Sequence, residues 1–242
     1  MQKLSGTSLK WIAILAMIID HVAWKLQAPV FILEFMHFIG RMTIPIMCFF
    51  IAEGFHHTRD LQKYQTRLFV FALIAQIPFS YFMTGEAFPL GIGAESLNVL
   101  FTLLFGLIAM SVLKSNRSRS YKALCVALCF VGSLFCDWFL FGILFILSFG
   151  LNDGNRKEQL KWFTFSAIIC LFMSEGLNYL FRGDLGFMTF GLFATIPLFL
   201  LYNGKRSNHP SRNPFLAKWV FYMLYPLNLL VIGILHYAMG VI

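Results

Sequence analysis

Charge is what this 242-residue chain has least of: Asp, Glu, Lys and Arg make up 12% of it, about half the share in an ordinary soluble domain. So little charged surface excludes a soluble globular protein. Five cysteines are too few for a disulfide framework. All of them (Cys48, Cys125, Cys129, Cys136, Cys170) lie in or beside apolar runs, where a small buried side chain is the simplest account. Cys125 and Cys129 stand one helical turn apart without the further ligands that a zinc site needs, and no metal is expected. The eight prolines and 18 glycines are too sparse for collagenous or low-complexity chains. No internal repeat and no long polar linker interrupts the sequence, which reads as a single domain over residues 1–242.

What is present is apolar mass: 59% of residues, with a mean hydropathy of +0.74, spread along the whole length. That pattern implies an all-α, polytopic transmembrane helical bundle. Segments able to cross about 30 Å of hydrocarbon number about nine, with eight to ten as the range. They fall near residues 8–26, 31–55, 64–83, 98–113, 121–136, 138–150, 161–180, 187–202 and 215–240. The fifth and sixth are short enough to form one re-entrant hairpin about Cys136, Asp137 and Trp138. Asp20 and His21 interrupt the first apolar run and no small-residue cleavage site follows, so it reads as a membrane helix rather than a signal peptide.

With the N-terminus placed in the cytoplasm, the inner segments collect every Lys and Arg except Lys25, Arg41 and Arg182. The outer segments carry Lys25 and Arg182 with Glu86, Glu95 and Asp184. This asymmetry follows the positive-inside rule and implies a multi-pass protein of the plasma or inner membrane. It also gives the formal charge of +8 a topological origin, so no nucleic-acid partner is expected. The partners are the bilayer and whatever anionic cosubstrate the basic loops attract. Lys3, Arg206, Arg212 and Lys218 are among those inner cations.

Ionisable groups within the spans carry the chemistry. Asp20 and His21 sit in the outer half of span 1 and Arg41 near the middle of span 2. An unpaired charge at such depth costs about 2.5–3.5 kcal/mol. Glu34, His37 and Arg41 share a face of span 2 by their spacing, so a buried polar cluster with Asp20 or His21 is expected. It reads either as an ion pair locking two helices or as a catalytic group. In the second reading His21 is a general base, Asp20 or another carboxylate orients it, and Arg41 stabilises an oxyanion or balances Asp20.

A second polar set lies toward the inner face: Glu53, His56, His57, Arg59 and Arg67, with Lys10 at the start of span 1. Arg59, Lys63 and Arg67 recur every four residues, as on one helical face, and could hold phosphate groups or simply be solvated. Gln76, Asn98, Asp137, Glu175, Asn178 and Asn228 place further polar groups in or near apolar runs. Each of these is more often a helix-to-helix hydrogen bond than a ligand contact.

The run Leu9-Lys10-Trp11-Ile12-Ala13 through Ile19-Asp20-His21, then Ile39-Gly40-Arg41-Met42-Thr43-Ile44-Pro45 and Ala52-Glu53-Gly54-Phe55, resembles the TraX family of membrane proteins. The likeness continues through Tyr64, Arg67 and Gln76-Ile77-Pro78 to Tyr225-Pro226-Leu227-Asn228. It is similar, more broadly, to integral-membrane acyltransferases, in which a basic residue precedes a His by the spacing of Lys10 and His21. The resemblance implies acetyl transfer from acetyl-CoA to a peptide N-terminus, as in pilin acetylation in conjugation, or to a glycan. In it His21 is catalytic with Asp20 and Arg41 beside it, and Lys10, Glu53, Arg59, Arg67 and Gln76 contact substrate or cosubstrate. Asn228 stands where relatives often carry His, and the resemblance gives it no catalytic part. The rival readings are a proton-coupled transporter and a structural component of a conjugation or secretion system. No inverted repeat and no paired interrupted helices are legible to favour the transporter.

Overall fold

The computed structural model describes residues 4–87, 96–183, 185–205, 214–238 and 240. Among the charges used for orientation, Lys3, Glu95, Asp184, Arg206 and Arg212 lie outside the described residues, as do the side chains of Arg182 and Lys218.

The described chain is helical: α1 (Gly6–Ala23), α2 (Val30–Gly40), α3 (Thr43–His57), α4 (Leu61–Thr84), α5 (Val99–Lys114), α6 (Arg119–Ser133), α7 (Phe139–Gly150) and α8 (Arg156–Arg182). A 3₁₀ turn (Met188–Leu192), α9 (Thr195–Leu201), α10 (Pro214–Gly233) and a π-helical turn (Ile234–Ala238) complete it. Five stretches are long and apolar enough to cross a membrane: Gly6–Ala23, Val30–His57, Leu61–Thr84, Arg156–Phe181 and Trp219–Ala238. Exposed apolar side chains such as Leu15, Phe69, Phe172 and Leu180 coat these helices on a scale that water does not tolerate. The protein is a multi-pass helical membrane protein.

Two of the nine expected segments are not single helices. The second breaks at Arg41 and Met42 into α2 and α3, and the eighth is the 3₁₀ turn followed by the seven-residue α9. The expectation that no paired interruptions exist is therefore corrected, because the two breaks touch. Gly191 lies directly beneath the Phe38 carbonyl and beside Arg41, with no room for a β-carbon. Each break stands four residues before a proline, Pro45 and Pro197, which offers no N–H to the Arg41 or Phe193 carbonyl. The Phe38 carbonyl near the first break is covered by Gly191, and irregular backbone at membrane depth persists only where protein covers it.

The chain divides into two compact units. The first takes residues 1–47, 81–85 and 168–242. In it α1 packs against α2 and α10, and α2 against the 3₁₀ turn. Ser5 caps α1 by accepting the Ser8 amide at 3.2 Å. Leu9, Ala13, Ala16 and Met17 are among its buried residues, at helical spacing. The small Ala13 lets the Thr43 hydroxyl donate to its carbonyl at 3.1 Å.

The second unit takes residues 48–80 and 86–167. Here α5 packs on α6 and α7. The α6–α7 turn is pinned by Leu97, whose amide donates to the Phe135 carbonyl and whose carbonyl accepts from Asp137, both at 2.8 Å. Trp138 takes a left-handed conformation there, with φ of 67°. At 15 and 12 residues, α6 and α7 are roughly 22 and 18 Å long, each shorter than the hydrocarbon core.

Candidate active site

Neighbouring residues on α1 point about 100° apart, and the first unit uses this to send Asp20 and His21 into different seams. Asp20 turns to α2. Its Oδ1 meets His37 Nδ1 at 2.9 Å, with both side chains less than one-fifth exposed. Gly40 makes the approach possible, since a β-carbon there would overlap the Asp20 carboxylate. The Trp24 ring stands edge-on to His37, centroids 5.2 Å apart.

The same face of α2 continues to the 3₁₀ turn. Glu34 accepts the Phe187 amide at 3.0 Å, and an Arg41 Nη lies 3.7 Å from the Met188 sulfur. From α8 the buried Glu175 accepts the Gly186 amide at 3.1 Å and the Thr189 hydroxyl. The expected polar face of Glu34, His37 and Arg41 is present, and it fastens the 186–189 segment.

His21 turns to α10. Its Nδ1 meets the Asn228 side-chain amide at 2.5 Å. The imidazole packs on Phe82 and Tyr225, with centroids at 5.4 and 6.1 Å. The partner that orients His21 is therefore an amide, 207 positions away in sequence, and the nearby carboxylate is engaged elsewhere. The sequence marked Asn228, two residues after Pro226 and where relatives often carry His, but gave it no catalytic part, because an asparagine in an apolar run is commonly a plain helix-to-helix contact. An amide serves a histidine in two ways. Nδ2 first, it donates to Nδ1 and leaves Nε2 protonated. Oδ1 first, it accepts from Nδ1–H and frees the Nε2 lone pair.

Lys10, eleven positions before His21 on α1, is roughly 16 Å from it along the helix axis. Its ammonium lies over the Phe221 ring at 5.6 Å.

The remaining expected site residues belong to the second unit. Helix α4 begins at Leu61, so Arg59 sits exposed in the connection before it. It does not share a helical face with Lys63 and Arg67, and that expectation is corrected. Arg67 stacks its guanidinium over Tyr64 at 5.2 Å. The carbonyl of Glu53 accepts from His57 Nδ1 at 2.8 Å, and His56 joins Gly150 O at 2.9 Å through Nε2. Among the described residues no three His, Cys, Asp or Glu side chains gather as a metal site.

Asp60 caps α4, accepting the Lys63 amide at 2.9 Å. That bond, with the Lys63 ammonium beside it, holds its carboxyl below the ordinary 3.8. A depressed carboxyl stabilises the fold above its unfolded pKa and loses that contribution as pH falls through its folded pKa. Protection of the Lys63 amide from hydrogen exchange should accordingly be pH-independent above about 4 and decline below it, and Asp60→Ala should remove the protection at every pH.

Gln76 is fully committed. Its Oε1 accepts the Asn98 amide and Asn98 Nδ2, at 3.1 and 2.8 Å, and its Nε2 donates to Ser96 O and Ser80 Oγ. Asn98, wholly buried, also donates to Ala72 O at 2.8 Å and caps α5 through the Leu100 amide. Gln76 thus ties α4 to the start of α5. Asn98→Ala strands several of these groups and should cost about 1–3 kcal/mol, read as a lowered unfolding midpoint in detergent.

The family model described as TraX protein matches residues 5–236. A probable fimbrial assembly protein FimC, serogroup H1, of Dichelobacter nodosus is 32% identical over 232 residues, 93% of each chain. An uncharacterised protein of Rickettsia prowazekii (strain Madrid E) is 26% identical over 169 residues, 66% of this chain and 60% of that protein. No solved structure matches.

Proposed function

The chain belongs to the TraX family, and from that premise we propose that it is a membrane-embedded acyltransferase, moving an acetyl group from acetyl-CoA to an amine or hydroxyl acceptor. A pilin N-terminus or a cell-surface glycan is the acceptor class, in keeping with the fimbrial assembly role in its relative's name. The observation that carries the reading is His21, a half-buried imidazole within an apolar span, held by Asn228 and walled by Phe82 and Tyr225.

In this reading Asn228 presents Oδ1 to Nδ1–H, leaving the Nε2 lone pair to take the acceptor's proton. The freed nitrogen or oxygen attacks the thioester carbonyl and forms the new C–N or C–O bond. The C–S bond breaks, and the coenzyme thiolate takes the proton back from the imidazolium. Acetyl-CoA supplies the acyl group from the cytoplasmic side. Lys10 holds a phosphate there, and the pantetheine arm covers the roughly 16 Å along α1 to His21.

The test is transfer of labelled acetyl from acetyl-CoA by the purified protein in lipid nanodiscs, with membrane peptides and amino sugars as acceptors. Labelled product, or slow hydrolysis without acceptor, is the expected result. Neither one, together with no acetyl-CoA binding, would end the proposal.

The touching interruptions at Arg41 and Gly191 favour a second reading, a proton-coupled transporter. Against it, the Phe38 carbonyl rests on Gly191, so the seam is closed by backbone where a transport path needs space. Substrate flux into liposomes without acetylated product would select the transporter.

A further inference from the structure

Lys25 follows His21 by one helical turn, roughly 6 Å farther along the axis. Both flank one ring: the Phe82 centroid is 5.4 Å from that of His21 and 4.8 Å from the Lys25 ammonium. Lys25 donates to the Tyr237 hydroxyl at 2.9 Å and lies 4.7 Å from that ring's centroid, while Tyr237 donates to Met83 O at 3.1 Å. The π-helical turn that carries Tyr237 is the local device that brings it there, and such turns are frequent at functional sites.

Among the described residues no carboxylate pairs with Lys25. The nearest acid in sequence, Asp20, is engaged with His37. Lys25 stands just past the end of α1 at Ala23, where its ammonium is met by two aromatic faces, Phe82 and Tyr237, and by one hydroxyl. Its three N–H groups exceed the one hydroxyl that accepts from it. With the N-terminus inside, as the sequence leads one to expect, the position also runs against the positive-inside bias. A cation there, one turn from the candidate base and without a carboxylate partner among the described residues, is placed to receive an anion.

We infer that Lys25 is the anion-recognition residue of the acceptor subsite, so that the acceptor carries a carboxylate or phosphate within about one helical turn of the group that His21 activates. This rests on His21 acting as the base. An extended dipeptide, at most about 7 Å long, spans the separation between its amine and its carboxylate.

The probes are Ala-Ala and Ala-Ala amide, which differ in the terminal charge. Calorimetric binding without acetyl-CoA should favour Ala-Ala by about tenfold or more in the wild type, the scale of one charge-assisted hydrogen bond. Lys25→Met should abolish the preference, Lys25→Arg should keep it, and Lys25→Glu should invert it. In transfer assays the loss should fall on KM rather than kcat. Equal or absent binding of the two dipeptides by the wild type, or a preference surviving in Lys25→Met, would overturn the inference.

Phosphate on a lipid head group is the other source of the same chemistry. Repeating the series in phosphatidylcholine and phosphatidylglycerol nanodiscs separates them, since an effect following the lipid instead of the dipeptide also overturns the inference. Charge-selective binding without acetyl transfer would retain the anion subsite and remove the acyltransferase reading. Transfer without charge selectivity would do the reverse.

Discussion

His21→Ala should lower acetyl transfer by about 10²- to 10⁴-fold, the contribution of a positioned general base, while the protein still accumulates and remains monodisperse in detergent. Stability should change little, because the side chain is half-buried and its hydrogen bond is to the Asn228 side chain. The neighbouring substitutions sharpen the test. Asn228→Ala removes the group that fixes the ring and should cost a smaller factor, about tenfold. Asp20→Asn should cost less again, since Asp20 faces His37 in a different seam, about 100° round α1. A loss in Asp20→Asn equal to that in His21→Ala would mean that the carboxylate orients the base and that the two seams are not independent. Labelled-acetyl assays at matched protein levels read all three.

Gly191→Ala should be the most destabilising single-methyl change in the first unit. The added carbon would fall on the Phe38 carbonyl oxygen, 2.8 Å from the carbonyl carbon and 3.1 Å from Arg41 Cβ. The obstacle is backbone, which cannot rotate aside as a side chain does, so the 3₁₀ turn must part from α2. Overpacking of this kind costs about 3 kcal/mol, and here it also disturbs the amide contacts that Glu34 and Glu175 make with residues 186 and 187. A drop in the thermal midpoint in detergent is expected, with faster proteolysis near residue 190. An unchanged midpoint would show that the two interruptions pack less closely than described.

Much of this arrangement was legible before any coordinate. Hydropathy alone gave the all-helical, multi-pass character, because burying backbone hydrogen bonds in lipid leaves helices as the available solution, whereas five of the described stretches, not nine, are long and apolar enough to cross. The spacing of Glu34, His37 and Arg41 foretold their common face. What stayed hidden depends on rotation about a helix axis and on contacts across long sequence separations. Asp20 and His21 are adjacent in the chain, and adjacency invited the reading of one pair, yet 100° of helical phase sends them apart. Asn228 reaches His21 only after α10 has packed on α1. Arg59 looked like part of a helical face until α4 was seen to start two residues later, at the Asp60 cap.

The interruption at Arg41 and Met42 also settles how a long apolar stretch meets a bilayer of fixed thickness. Unbroken, Val30–His57 would be a rod of roughly 42 Å, well beyond the roughly 30 Å of hydrocarbon around it. A straight helix of that length relieves the mismatch by tilting as a whole or by thickening the lipid. Divided into pieces of 11 and 15 residues, the stretch can give each piece its own inclination. The second piece can then follow the local membrane while the first, which carries His37 opposite Asp20, keeps its angle to α1. The break decouples the geometry of that pair from the thickness of the bilayer.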